Sequence, residues 1–226
     1  MEVGPGLGVL TERLALAARR VVAVEIDTDL ASALRVEFDG ANVTVHTADV
    51  LKVQPASFFE APFVVVANLP YHITSPALRH LLAAGPPFAS RLVVMVQAEV
   101  AERIAAQPGD MSSVAVAIQA QARVRIVRRV PASAFFPRPK VDSAVLLLEP
   151  LAEEERAITR NELREFVTLV QAGFKQPRKK LVNSLAEGLG ATKPDALARL
   201  VSAEIDPSRR PQDLAVTDWV RLYRSI

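Results

Sequence analysis

A chain of 226 residues that is 50% hydrophobic and 23% charged, with a net charge of +2, has the composition of a folded protein with a sizeable core, which excludes disorder. It holds no cysteine, which excludes disulfides, zinc–thiolate sites and thiol nucleophiles and suits a reducing compartment. No apolar run approaches the roughly 18 residues of a membrane span, and the first residues lack a basic segment leading into an apolar core, so a cytoplasmic protein with no membrane partner is expected.

The chain opens on "MEV" and runs at once into "GPGLG", so the first predicted strand is a stub of three residues. Short β-branched runs then alternate with helical patterns: strands at 20–26, 42–46, 63–68 and 91–97, helices at 7–18, 28–38, 74–84 and 97–106. Near-continuous apolar content fits strands covered on both faces, and the alternation predicts a doubly wound, largely parallel α/β sheet. After a helix at 112–121, strands at 124–130 and 141–148 follow each other with no helix between them, which predicts an antiparallel edge. Beyond Pro150 the pattern becomes helical, in "EEERAITRNELREFVTLVQAGF", "RKKLVNSLAEGLG", "KPDALARLVSAE" and "VTDWVRLYRSI". The expected division is therefore an α/β domain over 1–150 and a small all-α domain over 151–226.

Chemistry-bearing residues fall at the carboxyl ends of these strands, where open α/β sheets bind ligands. "EVGPGLG" places Gly4, Gly6 and Gly8 at a strand-to-helix junction, where glycine lets backbone approach a ligand closely. The spacing is not that of the dinucleotide fingerprint, and no phosphate-loop lysine follows. Glu25 ends the second strand and can accept from ribose hydroxyls; the plain alternative is an acidic cap cluster, with Asp27 capping the next helix. Asp49 ends the third strand, as an acceptor for an adenine amine or as a turn cap. The fourth strand runs into Asn68, Leu69, Pro70 and Tyr71, a lone amide and a ring at a strand end that turn chemistry and packing could also explain.

Charge is uneven. Residues 1–122 carry 8 basic and 12 acidic side chains, 123–140 carry 6 and 0, and 141–226 carry 13 of each. The basic window supplies Arg123, Arg125, Arg128, Arg129, Arg138 and Lys140, and "FKQPRKK" adds Lys175, Arg178, Lys179 and Lys180. Such clusters read either as solvated surface or as a face for a polyanion. No metal-ligand spacing is present, and His46, His80, Phe58, Phe59 and Trp219 read as structural.

"EVGPGLG", "VEID", "ADV" and "NLPY" together resemble the class I S-adenosylmethionine-dependent methyltransferases, with "NLPY" similar to those that methylate exocyclic amines of bases. "FFPRPKVDS" narrows the resemblance to the ribosomal RNA adenine dimethyltransferase family, and "FKQPRKKLVNSL" resembles its small-subunit branch. The resemblance covers nearly the whole chain. It implies a Rossmann-like domain binding S-adenosyl-L-methionine through Glu2, Gly4, Gly6, Gly8, Glu25, Ile26, Asp49, Val50 and Asn68. It further implies a base site of Asn68, Leu69, Pro70, Tyr71 and Phe135, with Phe136 as the variable neighbour. Arg128, Arg129, Arg138, Lys140, Lys175, Arg178, Lys179 and Lys180 become candidate RNA contacts, and 151–226 a helical RNA-binding domain.

The implied reaction is N6,N6-dimethylation of two adjacent adenosines near the 3′ end of small-subunit rRNA, on an assembling 30S particle, by a monomer. Two alternatives stand beside it: a large-subunit adenine methylase of the macrolide-resistance type, and a non-catalytic RNA-binding assembly factor on a methylase fold. Three departures from the family pattern are visible. The region before the glycine loop, with its QNF-type motif, is absent; His72 stands where asparagine is usual; and "QPGDMSSVAV" lacks a Tyr-Gly before its serine.

Overall fold

The computed structural model describes residues 1–225; Ile226, the end of the last helical pattern, lies outside the described residues. Two compact units divide the chain, one formed by Met1–Ala101 with Val124–Pro150 and the other by Glu102–Arg123 with Leu151–Ile226.

The first unit is built on a seven-stranded sheet, in the order β3-β2-β1-β4-β5-β7-β6. Its strands are β1 (Glu2–Val3), β2 (Val21–Glu25), β3 (Val43–Thr47), β4 (Phe63–Asn68), β5 (Ala89–Gln97), β6 (Ala122–Val130) and β7 (Ser143–Pro150). The pairs β1–β2, β2–β3, β1–β4 and β4–β5 are parallel, whereas β5 and β7 run antiparallel, with Gln97 opposite Ser143 and Leu92 opposite Leu148. The expected α/β class, with its antiparallel edge, is what the chain adopts. The stub strand sits at the centre: Glu2 lies in register with both Ala23 and Val66, so two residues suffice because they are clamped from both sides. β2 is buried at all five positions, as its unbroken apolar run requires.

Helices α1 (Val9–Ala17), α2 (Thr28–Glu37) and α3 (Thr74–Ala83) follow β1, β2 and β4. Asp27 caps α2, its carboxylate accepting from the amides of Asp29 and Leu30 at 2.9 and 3.0 Å. Helix α1 starts instead at Gly8, with φ +82°; a Cβ there would stand 2.8 Å from Leu34 of α2 and 3.2 Å from Phe38. Gly8 thus sets how closely α1 approaches α2.

The second unit is helical. Its core joins Phe166, Leu169 and Val170 of α6 (Leu163–Gly173), Leu181 and Leu185 of α7 (Leu181–Leu189), Leu200 of α8 (Lys193–Ser202) and Trp219 of α9 (Val216–Arg224). Met111, with Ala115 and Val116 of α5 (Ser113–Gln119), belongs to the same core, so residues 102–123 group with the helices, whereas the sequence division places them with the sheet. The expected long helix over 153–174 is shorter. Residues 153–155 form one 3-10 turn, and Thr159 donates from its amide and its hydroxyl to the Glu162 carboxylate at 2.9 and 2.8 Å, so regular helix begins only at Leu163. Among the described residues, α4 (Ala98–Ile104) included, no helix is long and apolar enough to cross a membrane.

Candidate active site

The carboxyl ends of the parallel strands carry two adjoining structures. The first is the glycine loop, with Gly4 and Gly6 at φ +64° and +58°, a region that L side chains rarely adopt. Glu25 closes this loop: one carboxylate oxygen accepts from the Gly6 amide at 3.1 Å, the other from the amides of Ile26 and Asp27 at 2.8 and 3.0 Å. Only 6% exposed, Glu25 ties the glycine loop to the end of β2 through the oxygen facing Gly6, which keeps a second lone pair, and orders its own turn through the other. Nothing lies within 4 Å of a Cβ built on Gly6, so its missing side chain faces open space. Ile26, beside it, is 67% exposed and offers an apolar surface.

Asp49 is half-buried, with one oxygen accepting from the Leu51 amide at 2.9 Å and the other 3.9 Å from the Lys52 ammonium; Val50 is buried. Glu2 differs from these groups. It is 1% exposed, one of its oxygens has no hydrogen-bond partner, and the nearby Thr11 hydroxyl is likewise unpartnered. Burial pushes the Glu2 carboxyl above the usual range.

The second structure is the turn after β4. Leu69 is buried, and its amide donates to Met95 of β5 at 3.1 Å. The Pro70 carbonyl accepts from the Ile73 amide at 3.1 Å and the Thr74 hydroxyl at 3.4 Å, folding Tyr71–Ile73 into a 3-10 turn ahead of α3. These bonds fix the turn while leaving Asn68 exposed; among the described residues no protein group engages its side-chain amide. Asn68, Leu69, Pro70 and Tyr71 line an open cleft of about 350 Å³ together with Phe135, Phe136, Pro137 and Pro139. Pro70 also comes within 3.7 Å of the position a Gly4 Cβ would take, so the glycine loop and this cleft are neighbours.

A larger cleft of about 860 Å³ lies at the opposite ends of the strands, lined by Val21, Phe63 and Val64 among others. Ligands of open α/β sheets bind at the carboxyl ends, so the smaller cleft is the candidate site.

The structure therefore brings Asn68, Tyr71 and Phe135 together, although 64 residues separate Tyr71 from Phe135 in sequence. It also adds Phe136, Pro137 and Pro139 to the lining; the density of rings and prolines in "FFPRP" is the signal that marks them. Phe135 is half-buried, while Phe136 is 101% exposed. Arg128, Arg138 and Lys140 lie in the sheet unit at its solvent-facing side, and Arg129 is exposed with interactions of its own.

In the helical unit Lys175, Arg178, Lys179 and Lys180 are exposed on the connection from α6 to α7. Close packing fixes that connection. A Cβ on Gly173 would fall 2.4 Å from the Trp219 ring, one on Gly188 would fall 2.2 Å from the Ala172 carbonyl, and Phe174 stacks on Trp219 at 5.4 Å. The Gln176 amide donates to the buried Ser184 hydroxyl at 2.8 Å.

The profile of the family described as ribosomal RNA adenine dimethylase matches residues 1–226. The chain belongs to the ribosomal RNA adenine dimethylase family. Ribosomal RNA small subunit methyltransferase A of Dehalococcoides mccartyi is 42% identical over 226 residues, covering 98% of this chain and 76% of that protein. The protein of the same name from Lactobacillus delbrueckii subsp. bulgaricus is 40% identical, covering 100% and 80%. Among solved structures, a dimethyladenosine transferase from Plasmodium falciparum superposes with a TM-score of 0.78 at 27% identity, over 98% of this chain and 86% of that one. The 23S rRNA methyltransferase ErmE superposes with a TM-score of 0.72 at 30% identity, over 99% and 88%.

Proposed function

We propose that this dimethylase uses S-adenosyl-L-methionine to convert two adjacent adenosines near the 3′ end of small-subunit rRNA into N6,N6-dimethyladenosine, acting on the assembling 30S particle in the cytoplasm. The reading assigns every role to residues of a single chain, acting as a monomer. The observation that carries it is the unengaged Asn68 amide, lining one cleft with Tyr71 and Phe135 beside the glycine loop.

The crevice residues fit the cofactor. Open space at Gly6 would admit its methionine portion against backbone, the second lone pair on the Gly6-facing oxygen of Glu25 would accept from a ribose hydroxyl, exposed Ile26 would cover an adenine face, and half-buried Asp49 would accept from the adenine amine. Bound there, the cofactor supplies an electrophilic methyl group on a sulfonium. The acceptor amine is a weak nucleophile, because its lone pair is delocalised into the purine ring. The Asn68 side-chain oxygen accepts one amine hydrogen and the Leu69 carbonyl the other, which draws the nitrogen toward tetrahedral geometry and aims its lone pair at the methyl. The nitrogen–carbon bond forms as the carbon–sulfur bond breaks, and the nitrogen sheds its proton afterwards, so no strong base is required. Catalysis is by positioning and fixed dipoles. Tyr71 and Phe135 hold the extruded base between their rings.

The test compares wild type with Asn68→Ala on undermethylated small-subunit particles, reading dimethyladenosine by nucleoside mass spectrometry. Loss of one fixed dipole of this kind costs about 10²–10³ in rate. The expected result is that loss with particle affinity retained; an Asn68→Ala variant that still methylates at the wild-type rate would sink the reading.

A further inference from the structure

Ser143, the first residue of β7, and Asp142 just before it support the two ring walls of the cleft without lining it, Ser143 directly and Asp142 through Ala132. Ser143 is fully buried at 0% exposure, and its hydroxyl lies 3.1 Å from the Tyr71 hydroxyl. One carboxylate oxygen of Asp142 accepts from the Ala132 amide at 2.9 Å. Ala132 opens the short turn that presents Phe135, and its carbonyl accepts from the Phe135 amide at 3.3 Å. The same two residues are tied to the sheet from behind: the Asp142 carbonyl accepts from the Ala98 amide at 2.9 Å, and Ser143 pairs in register with Gln97 of β5.

The Tyr71 hydroxyl and the turn that carries Phe135 are therefore held by adjacent residues, Ser143 opening β7 and Asp142 just before it, which the bonds to Ala98 and Gln97 tie to the sheet. A tyrosine hydroxyl at an open cleft can be satisfied by water, so a buried serine is not needed for solvation. What it adds is a fixed direction for the ring. Misplacement of a reacting group by about 1 Å can cost about a hundredfold in rate, so the separation of the two walls is a property the reaction can feel.

We infer that Asp142 and Ser143 are positioning residues that set the separation and tilt of the Tyr71 and Phe135 rings around the target base. The inference rests on the adenine-methylating reading of the cleft. Ser143 acts through the Tyr71 hydroxyl, and Asp142 acts through the Ala132 turn.

The experiment measures single-turnover methyl transfer and particle KM for Ser143→Ala, Tyr71→Phe, the double variant, Asp142→Ala and Asp142→Asn. It adds the ring resonances of labelled tyrosine in the RNA-free protein, whose only two tyrosines are Tyr71 and Tyr223. Ser143→Ala is expected to slow transfer about tenfold, the worth of one well-placed hydrogen bond, with KM within about twofold of wild type. In the Tyr71→Phe background it is expected to add nothing. Asp142→Ala is expected to slow transfer to a similar degree, and Asp142→Asn, which keeps the accepting oxygen, to restore it. The Tyr71 resonance should shift in Ser143→Ala while that of Tyr223 stays put. An equal further loss in the Tyr71→Phe background, or an unmoved Tyr71 resonance, would overturn the inference. Wild type that methylates no particle would sink the functional reading instead, and the resonance arm would still decide whether Ser143 orients the ring.

Discussion

The glycine loop and the base cleft adjoin each other, yet they are held in different ways. The loop is tied to its neighbours: Glu25 of β2 accepts from the Gly6 amide as well as from two amides of its own turn, and Gly8 sets the close approach of α1 to α2. The cleft keeps its one side-chain amide, Asn68, free, and its ring walls are tied from behind by Ser143 of β7 and by Asp142 just before it. On the proposed reading, the cofactor side is built from backbone whose amides are already hydrogen-bonded. On the same reading, the acceptor side leaves its polar group for the substrate to satisfy.

Changes on the acceptor side should therefore strike rate, and changes in the loop should strike stability or cofactor affinity. After Asn68→Ala, the largest expected effect is that of Phe135→Ala. Loss of one base–aromatic stack is worth about 1–3 kcal/mol, so kcat/KM should fall about five- to 150-fold. Phe136→Ala, at a fully exposed ring, should change it less; equal losses in parallel assays would mean that both rings stack on the base.

Gly8→Ala should lower stability by about 1–3 kcal/mol in denaturant melts, through its left-handed backbone and the clash with Leu34. Gly6→Ala meets open space, so it should cost only the backbone strain of about 1–2 kcal/mol while weakening cofactor binding measured by calorimetry. If Gly6→Ala bound the cofactor as wild type does, the loop would not be its seat.

Smaller effects are expected from exposed charge. Replacing Arg178, Lys179 and Lys180 by alanine should weaken particle binding and flatten its salt dependence, by about 0.7–0.9 in log–log slope for each phosphate no longer neutralised. An unchanged slope would remove this loop from the RNA face. The smallest effect concerns Glu2, whose carboxyl is raised by burial. A raised acid binds its proton more tightly folded than unfolded, so wild type loses stability as pH rises from the unfolded value, about 4.3, through the folded one. Glu2→Gln should be the more stable protein at neutral pH, with the difference closing below about pH 4 in thermal melts.

Local patterns carry much of this arrangement. The buried run "VVAVE" and the glycine spacing mark β2 and the loop, because strand burial and positive φ leave direct traces in residue type. "NLPY" marks the turn for the same reason. What the sequence does not disclose depends on distant pairing. Residues 102–123 join the helical core through Met111, Ala115 and Val116, contacts that no local period reveals. Glu25 reads as a ligand acid in the sequence, but in the fold it first braces Gly6. Asp142 and Ser143 stand in "VDS" with no visible role, because their partners Ala132 and Tyr71 lie 10 and 72 residues away.

The most direct test of the account offers undermethylated 30S and 50S particles separately to the wild-type chain with methyl-labelled S-adenosyl-L-methionine, then reads the nucleosides by mass spectrometry. Dimethyladenosine from the 30S particle alone is the result the account expects. Label confined to the 50S particle would contradict it and point to large-subunit chemistry in the same cleft.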